Sequence, residues 1–205
     1  MAKLYFRYGA MNSGKSTALM QVAYNYEERG MKVRILKPKI DSKGDDKLVS
    51  RLGVTRKVDY LIDDEDNLFD SFSKIENGER ISCILVDESQ FLTADQIDQL
   101  LNIAVVKDVP VICYGLRTDF KTQGFSGSQR LLLVAHSLEE LKTICRCGKK
   151  AIFNGRKING IFVFEGDQIS IDNNDKVDYE AMCASCYFKR MEEEKERLGG
   201  SQLSF

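Results

Sequence analysis

The chain has 205 residues, which is enough for one α/β domain with a substantial core and a small additional subdomain. Its hydrophobic fraction of 43% and charged fraction of 30% are typical of a soluble globular protein. The formal net charge of -1 argues against nucleic acid or an anionic membrane as a partner and favours a small molecule.

Targeting signals are not evident in the sequence. No stretch is as apolar and as long as a membrane-spanning helix, and the segment MAKLYFRYGA lacks the features of a secretory signal. We therefore expect a cytoplasmic protein. In that reducing compartment its six cysteines would be metal ligands or packing residues rather than disulfides.

The first predicted elements form a β-α-β unit. Residues 3–8 have the pattern of a strand, residues 15–29 that of an amphipathic helix and residues 32–38 that of a second strand. Residues 41–66 are polar and show no sustained period, which predicts a mobile loop with one short strand.

Helices and strands alternate along the middle of the chain. We predict helices at residues 67–76, 93–106 and 129–136, alternating with strands at residues 81–89, 109–115 and 140–145. Thr93 is the predicted N-cap of the second of these helices. This alternation predicts a parallel sheet flanked by helices, so the expected fold class is α/β.

Residues 9–16 (GAMNSGKS) match the pattern Gly-x4-Gly-Lys-Ser between a predicted strand and a predicted helix. In this P-loop pattern, backbone N–H groups and the helix N-terminus hold phosphates, the lysine reaches the β- and γ-phosphates and the hydroxyl ligates Mg²⁺. The alternative is a structural glycine turn. The flanking strand and helix favour phosphate binding.

A pair of acids ends the most apolar predicted strand, in the segment ILVDES. Asp87 stands where a P-loop protein places an acid that helps to hold Mg²⁺. Glu88 could accept a proton from a hydroxyl nucleophile. The alternative is a solvated acid pair that caps a helix.

Four cysteines form two close pairs, Cys145-x-Cys147 and Cys183-x2-Cys186, separated by the 35 residues 148–182. Four thiolates in such pairs suit a tetrahedral structural Zn²⁺. The alternative is four unpaired thiols. The other two cysteines, Cys83 and Cys113, lie within apolar strands, where a thiol packs as a small hydrophobic group.

The remaining candidate residues are one histidine and several aromatics. His136 is the only histidine, which makes a histidine-based catalytic triad implausible. Phe91, Phe120, Phe125 and Tyr179 could stack on a flat apolar substrate such as a nucleobase, or could fill the core.

Five segments occur in an order that resembles one known family. They are GAMNSGKSTALM, VDESQF, CYGLRTDF, CRCGKKA and a tyrosine, Tyr179, four residues before the second cysteine pair. Together they extend from about residue 3 to residue 190 and resemble the type II thymidine kinases, the cellular family of these enzymes.

The resemblance implies an enzyme that transfers the γ-phosphoryl group of ATP to the 5′-hydroxyl of thymidine or deoxyuridine, a salvage step that supplies dTMP for DNA synthesis. It also implies structural Zn²⁺, Mg²⁺ bound with ATP, feedback inhibition by dTTP and a homotetramer. The implied organisation is a P-loop ATP-binding α/β domain at residues 1–143, a zinc-binding subdomain with a lasso loop over the nucleoside at residues 144–191, and a charged helix end with a disordered tail at residues 192–205.

The resemblance also assigns roles to residues of this sequence. Glu88 is the implied general base, and Lys15 stabilises charge on the phosphates. The implied ATP-binding residues are Gly9, Ala10, Met11, Asn12, Ser13, Gly14, Lys15, Ser16, Asp87, Glu88, Ser89 and Gln90. The implied substrate-binding residues are Met11, Phe91, Leu116, Phe120, Phe125, Arg156, Ile171 and Tyr179. The implied metal ligands are Cys145, Cys147, Cys183 and Cys186 for Zn²⁺, and Ser16 and Asp87 for Mg²⁺.

Two departures from the family pattern affect the predicted site. Lys43 stands where the family commonly has arginine, and a lysine cannot contact a phosphate in bidentate fashion. The lasso segment DNNDKVDY also differs from the usual glycine pair, so the register of residues 170–177, whose backbone would read the pyrimidine, is not fixed by the pattern. An arginine that neutralises phosphate charge would be Arg156 or Arg51.

Three other functions fit parts of the sequence. A P-loop ATPase or GTPase switch would hydrolyse nucleotide without an acceptor. A zinc-containing nucleic-acid binder would need a basic surface, which the near-neutral charge does not supply. A kinase for another deoxynucleoside is the nearest alternative.

Overall fold

The computed structural model describes residues 1–39, 47–49, 53, 55–168, 176–197 and 199. These residues form two compact units. The first contains Met1–Tyr8, Gly14–Arg117 and Phe125–Leu141, and the second contains Gly9–Ser13, Thr118–Gly124 and the described residues of Lys142–Phe205.

The first unit alternates strands and helices. In chain order its elements are β1 (Leu4–Tyr8), α1 (Lys15–Glu27), β2 (Val33–Pro38), β3 (Lys47–Val49), β4 (Thr55–Lys57), β5 (Tyr60–Ile62), α2 (Phe72–Glu76), β6 (Cys83–Val86), a 3-10 helix (Ser89–Phe91), α3 (Ala94–Val106), β7 (Val111–Gly115), α4 (Ser126–Val134) and β8 (Ser137–Glu140). Six of the strands form one parallel sheet in the order β5-β2-β6-β7-β1-β8. This sheet confirms the predicted α/β class.

Both faces of the central strands are buried, which explains why they are apolar without alternation. Leu36 and Val86 belong to one cluster, together with Leu100 of α3 and further residues of α4. Ile35 and Leu85, one position earlier on the same strands, belong to the cluster that contains α1. Neighbouring residues on a strand thus support helices on opposite faces of the sheet.

The N-terminus of α3 is confirmed as predicted. The Thr93 hydroxyl accepts the backbone N–H of Gln96 at 3.2 Å, and the Gln96 side-chain oxygen accepts the backbone N–H of Thr93 at 3.2 Å. This reciprocal pair is a capping box, which satisfies two backbone donors at a helix start.

The segment predicted as a loop with one short strand contains three short strands among its described residues. β3 pairs antiparallel with β4, and β5 extends the central sheet beside β2. Each strand has three residues, which is too short for a period of two to be recognised. Residues 41–46, 50–52 and 54 of this segment, which include Lys43 and Arg51, lie outside the described residues.

The predicted strand at residues 140–145 is divided in the structure. β8 ends at Glu140 and pairs with β1, and the next strand begins at Thr143 in the second unit. α4 begins at Ser126 and ends at Val134, so His136 follows the helix. The Nδ1 atom of His136 accepts the backbone N–H of Leu4 at 3.1 Å, which gives this histidine a structural role.

The second unit is built from short antiparallel strands and one helix. Its elements are β9 (Thr143–Ile144), β10 (Lys150–Ala151), β11 (Phe153–Ile158), β12 (Ile161–Val163), β13 (Val177–Met182) and α5 (Ala184–Arg197). β9 and β10 form a hairpin, and the other strands form a sheet in the order β12-β11-β13. α5 begins five residues before the charged run that predicted it.

Within the part of the chain that the structure describes, none of the helices combines the length and apolar character needed to cross a membrane.

Candidate active site and metal centre

The P-loop segment joins β1 to α1. Asn12 and Gly14 both adopt left-handed backbone conformations, with φ of 64° and 78°. Gly14 is the N-cap residue of α1 and has no side chain, so the first N–H groups of the helix are not capped by it. Lys15 and Ser16 are the first two residues of the helix, where the N-terminus of a helix attracts anions.

Asp87 immediately follows β6 and is only 3% exposed. Burial is the main cause that raises the pKa of Asp87, to about 7, and the charge of Glu88 raises it further. The backbone N–H of Glu88 and the charges of Lys37 and Lys15 lower that pKa. An acid with this environment at the carboxyl end of a parallel strand is suited to a site that receives a cation.

Glu88 also has a left-handed backbone, with φ of 50°. Non-glycine residues rarely adopt this conformation, and it occurs preferentially at functional sites. The residue precedes the 3-10 helix and is partly exposed. The Glu88 carboxylate accepts a hydrogen bond from the side-chain amide of Gln90 at 2.6 Å.

The next two residues of the motif direct their side chains into the first unit. The Ser89 hydroxyl donates to the backbone carbonyl of Tyr114 at 2.9 Å. Gln90 is 1% exposed, and its side-chain oxygen accepts the backbone N–H of Leu116 at 3.1 Å. These contacts connect the end of β6 with the end of β7.

Three of the predicted substrate-pocket residues lie in this part of the first unit. The rings of Phe91 and Phe125 meet edge to face, with 5.3 Å between centroids. Leu116, directly after β7, and Phe125, the N-cap residue of α4, are both buried.

Among its described residues, the second unit contains four more predicted substrate-binding residues, of which Met11 and Phe120 lie in segments joined by a buried asparagine, Asn154, that the sequence did not single out. The Asn154 side chain accepts the backbone N–H of Met11 at 2.7 Å and donates to the backbone carbonyl of Thr118 at 3.1 Å. The sequence signal that could have indicated this residue is a polar asparagine within the apolar and basic residues of β11. Asn154 connects residues 9–13 with residues 118–124.

Arg156, on β11, is 4% exposed and lies over the ring of Phe120, with 3.6 Å from its guanidinium carbon to the ring centroid. It donates to the backbone carbonyl of Asp167 at 2.8 Å and to that of Glu165 at 2.9 Å. The backbone carbonyl of Phe120 accepts the Tyr187 hydroxyl at 2.6 Å. Arg156 thus contacts backbone carbonyls and a ring, and it is enclosed by protein.

Tyr179 is paired with Arg156 in the register of β11 and β13 and is half-buried. Ile171 and the rest of residues 169–175, which include most of the predicted lasso loop, lie outside the described residues.

The four cysteines of the predicted metal site lie together, and their sulfur atoms are all within 4.8 Å of one another. Cys145 follows β9, Cys147 lies in the turn before β10, and Cys183 and Cys186 lie at the start of α5. Four sulfur ligands around Zn²⁺ would stand about 3.8 Å apart, given Zn–S bonds of about 2.3 Å. The cluster could therefore hold a metal ion.

The thiol pKa values in this cluster differ. Burial acts to raise the pKa of Cys145, but hydrogen bonds from the backbone N–H groups of Cys147 and Cys183 lower it to about 7. Hydrogen bonds with the other three thiols raise the pKa of Cys186 to about 12. Backbone donors of this kind stabilise a thiolate, which is the form that ligates a metal.

The remaining two cysteines are core residues, as predicted. Cys83 on β6 and Cys113 on β7 are buried. Burial raises the pKa of Cys83 to about 12 and raises the pKa of Cys113 as well, so both thiols stay protonated.

A parallel α/β sheet, a Gly-x4-Gly-Lys-Ser segment that leads from its first strand into a helix, and an acid at the end of a buried strand together define a P-loop protein. A family model described as "Thymidine kinase" matches residues 2–187 of this chain. The chain belongs to the thymidine kinase family.

Three relatives illustrate the similarity. "Thymidine kinase" of Colwellia psychrerythraea is 45% identical over 193 residues, which cover 93% of this chain and 98% of the relative. "Thymidine kinase" of Legionella pneumophila is 46% identical over 197 residues, covering 95% and 92%. "Thymidine kinase" of Haemophilus influenzae is 46% identical over 189 residues, covering 91% and 96%.

Proposed function

We propose that this protein transfers the γ-phosphoryl group of ATP to the 5′-hydroxyl of thymidine, which yields dTMP and ADP. The observation that carries the proposal is the Asp87–Glu88 pair: one acid is buried, with the charge of Lys15 acting on it, and the other is partly exposed on a left-handed backbone. The names of the relatives supply the acceptor.

The donor phosphates are assigned to residues 9–16. The backbone N–H groups at the start of α1 can donate hydrogen bonds to phosphate oxygens. The Lys15 ammonium would stabilise the negative charge that develops on the β- and γ-phosphates. The Ser16 hydroxyl and the Asp87 carboxylate are oxygen ligands of the type that Mg²⁺ prefers. Mg²⁺ bound with ATP would neutralise phosphate charge and favour the ionised form of Asp87.

Glu88 is assigned the role of general base. Its carboxylate takes the proton from the 5′-hydroxyl as the O5′–P bond forms, and the bond between the γ-phosphorus and the bridging oxygen breaks to release ADP. The partly exposed side chain fits this role better than the buried carboxyl of Asp87.

The nucleobase is assigned to aromatic and aliphatic residues that present flat or apolar surfaces. The described ones are Leu116, Phe91 and Phe125 in the first unit, and Met11, Phe120 and Tyr179 in the second. We assign Arg156 to the support of Phe120 and of the 165–167 backbone, because its guanidinium is enclosed by those groups.

Further properties are proposed from the family resemblance. These are phosphorylation of deoxyuridine, a role in cytoplasmic nucleotide salvage for DNA synthesis, inhibition by dTTP and assembly into a homotetramer. The division into an ATP-binding domain at 1–143 and a zinc-binding subdomain at 144–191, with Zn²⁺ held by the four clustered cysteines, is proposed on the same basis.

An ADP-release assay with a panel of nucleosides tests the proposed function. We expect release with ATP and thymidine, a lower rate with deoxyuridine and background rates with deoxycytidine, deoxyguanosine or no acceptor. ATP hydrolysis that does not require an acceptor would instead indicate a P-loop ATPase.

The variant Glu88→Gln tests whether Glu88 is the general base. It should lower kcat at least 100-fold, because a general base contributes about 10²–10⁴-fold, and should leave thymidine affinity within about threefold. A Glu88→Gln variant with near-normal kcat would show that the base is a different group.

A further inference from the structure

The side-chain amide of Gln90 makes two hydrogen bonds inside the first unit. Its nitrogen donates to the Glu88 carboxylate at 2.6 Å, and its oxygen accepts the backbone N–H of Leu116 at 3.1 Å. The orientation of the amide is determined by these partners, because a backbone N–H can only donate and a carboxylate can only accept. Gln90 therefore connects the acid after β6 to the residue after β7.

The Gln90 side-chain amide is tightly packed against neighbouring residues. Gln90 is 1% exposed, so its amide is held by protein contacts. A Cβ atom on Gly115 would lie 2.8 Å from the Gln90 side-chain oxygen and 3.0 Å from the Ser89 hydroxyl oxygen. A residue without a side chain is thus needed at position 115 for the amide to stand where it does.

The Glu88 carboxylate needs such a support. Its backbone has the left-handed conformation, which is unfavourable for a non-glycine residue and persists only where the surrounding structure holds it. The Gln90 amide is a fixed donor on the following turn, and it restricts the carboxylate to one orientation. Because a misplaced catalytic group loses much of its effect, this restriction bears on turnover.

We propose that Gln90 is a positioning residue, which orients the Glu88 carboxylate toward the 5′-hydroxyl of the nucleoside and fixes Leu116 in the wall of the base pocket. The family resemblance had assigned Gln90 to ATP. The buried amide with both of its ends engaged within the protein favours positioning instead. This inference rests on the proposed function, in which Glu88 is the base.

The variant Gln90→Met tests the inference, because methionine has a similar length but offers no comparable donor or acceptor. We expect kcat to fall about 10–100-fold, KM for thymidine to rise severalfold through Leu116, and KM for ATP to stay within about twofold. Gly115→Ala, which leaves Gln90 intact but crowds its amide, should lower kcat in the same direction and serves if Gln90→Met does not fold.

Gln96→Met is the matched control. Gln96 is another buried glutamine of the same unit; its side-chain oxygen accepts the backbone N–H of Thr93 at the start of α3, and its side-chain nitrogen donates to the backbone carbonyl of Asp63 at 2.9 Å. We expect this variant to lower the thermal midpoint while kcat stays within about twofold. A loss of kcat in Gln96→Met as large as that in Gln90→Met would overturn the inference, because a general destabilisation of the first unit would then explain both losses.

A double variant separates positioning from structural damage. When Glu88 is already replaced by glutamine, no base remains to be oriented, so Gln90→Met should change the residual kcat of Glu88→Gln by less than twofold. An undiminished 10–100-fold effect in that background would overturn the inference. Failure of the proposed function would be recognised separately, since Glu88→Gln alone would then retain its kcat.

Discussion

At the scale of single residues, Asp87 combines its proposed metal-binding function with a cost in stability. Its carboxyl group is buried beside Glu88, and both features oppose ionisation, so its pKa is raised to about 7. A residue selected only for stability at this position would be neutral. The carboxylate becomes favourable where a cation compensates its charge.

Asp87→Asn should therefore stabilise the protein in the absence of divalent cations while it abolishes turnover. In the unfolded chain an aspartate has a pKa of about 3.9, so the folded state binds this proton more tightly. The stability that protonation contributes is complete below about pH 4 and is lost as pH rises through about 7. The asparagine variant, which does not ionise, keeps it at every pH.

Thermal unfolding in EDTA at several pH values measures this effect. At pH 8 we expect a gain of at least about 1 kcal/mol for Asp87→Asn, or about 2–4 °C in the midpoint, and a smaller gain at pH 5. Asp98→Asn is the control, because Asp98 lies on the partly exposed side of α3 in an ion pair with Arg130 and should show no gain. A destabilised Asp87→Asn at pH 8 would contradict the assignment.

At the scale of elements, β11 organises the second unit through side chains that alternate along it. Asn154 and Arg156 are directed to segments 9–13, 118–124 and 165–167 by the hydrogen bonds described above. Lys157, next along the strand, instead pairs with the Glu180 carboxylate on β13. One strand thus supplies both the support of Phe120 and a cross-strand ion pair.

Arg156→Lys should raise KM for thymidine about 10-fold, with kcat and KM for ATP changed less than threefold. Lysine keeps the charge but cannot donate in a fixed fork to two carbonyls while it lies flat on the Phe120 ring. Steady-state kinetics with each substrate varied gives the result. If KM for ATP rises and KM for thymidine does not, Arg156 acts on the phosphates.

Lys157→Met is the matched control on the same strand. It removes a partly buried cation that pairs with Glu180 and lies 4.6 Å from the centroid of the Phe162 ring. We expect a loss of thermal stability without a selective rise in KM for thymidine. An equal rise in KM for thymidine in both variants would mean that any weakening of β11 raises this KM.

At the scale of the whole molecule, the sequence predicted the parts whose signals are local. Strands with both faces buried are continuously apolar, so the central strands could be predicted from their composition. The helix α3 could be predicted because Thr93, a typical N-cap residue, precedes it. The cysteine spacing likewise predicted the cluster. In each case neighbours along the chain carry the information.

The features that the sequence did not reveal depend on contacts between distant residues. β5 has only three residues and is a strand because β2 lies beside it. The amide of Gln90 acquires its partners only when β6 and β7 bring Glu88 and Leu116 together, and Gly115 is required there by a contact 25 residues away. Asn154 joins segments 143 and 36 residues distant.

The two units also have separate cores, so a metal ion held by the four cysteines would act locally on the stability of the second unit. Cys145 and Cys183 are themselves core residues of the second unit, packed with Ala10, Ala151 and Ala181. That core is small, whereas the first unit has two large apolar clusters. Small domains commonly need a metal or disulfides to complete their stability, and the four clustered thiols could hold such a metal ion.

Removal of the metal should therefore unfold the second unit and leave the parallel sheet protected from hydrogen exchange. Native mass spectrometry should find one zinc ion per chain, and chelation at neutral pH should increase amide exchange most in β9–β13 and α5. The variants Cys145→Ser and Cys186→Ser should reproduce this pattern and lose thymidine phosphorylation.

Cys113→Ser is the control, since Cys113 is a core residue of the first unit and its replacement should leave the zinc content unchanged. Full protection of the second unit after complete loss of metal would show that the thiols pack without a structural ion.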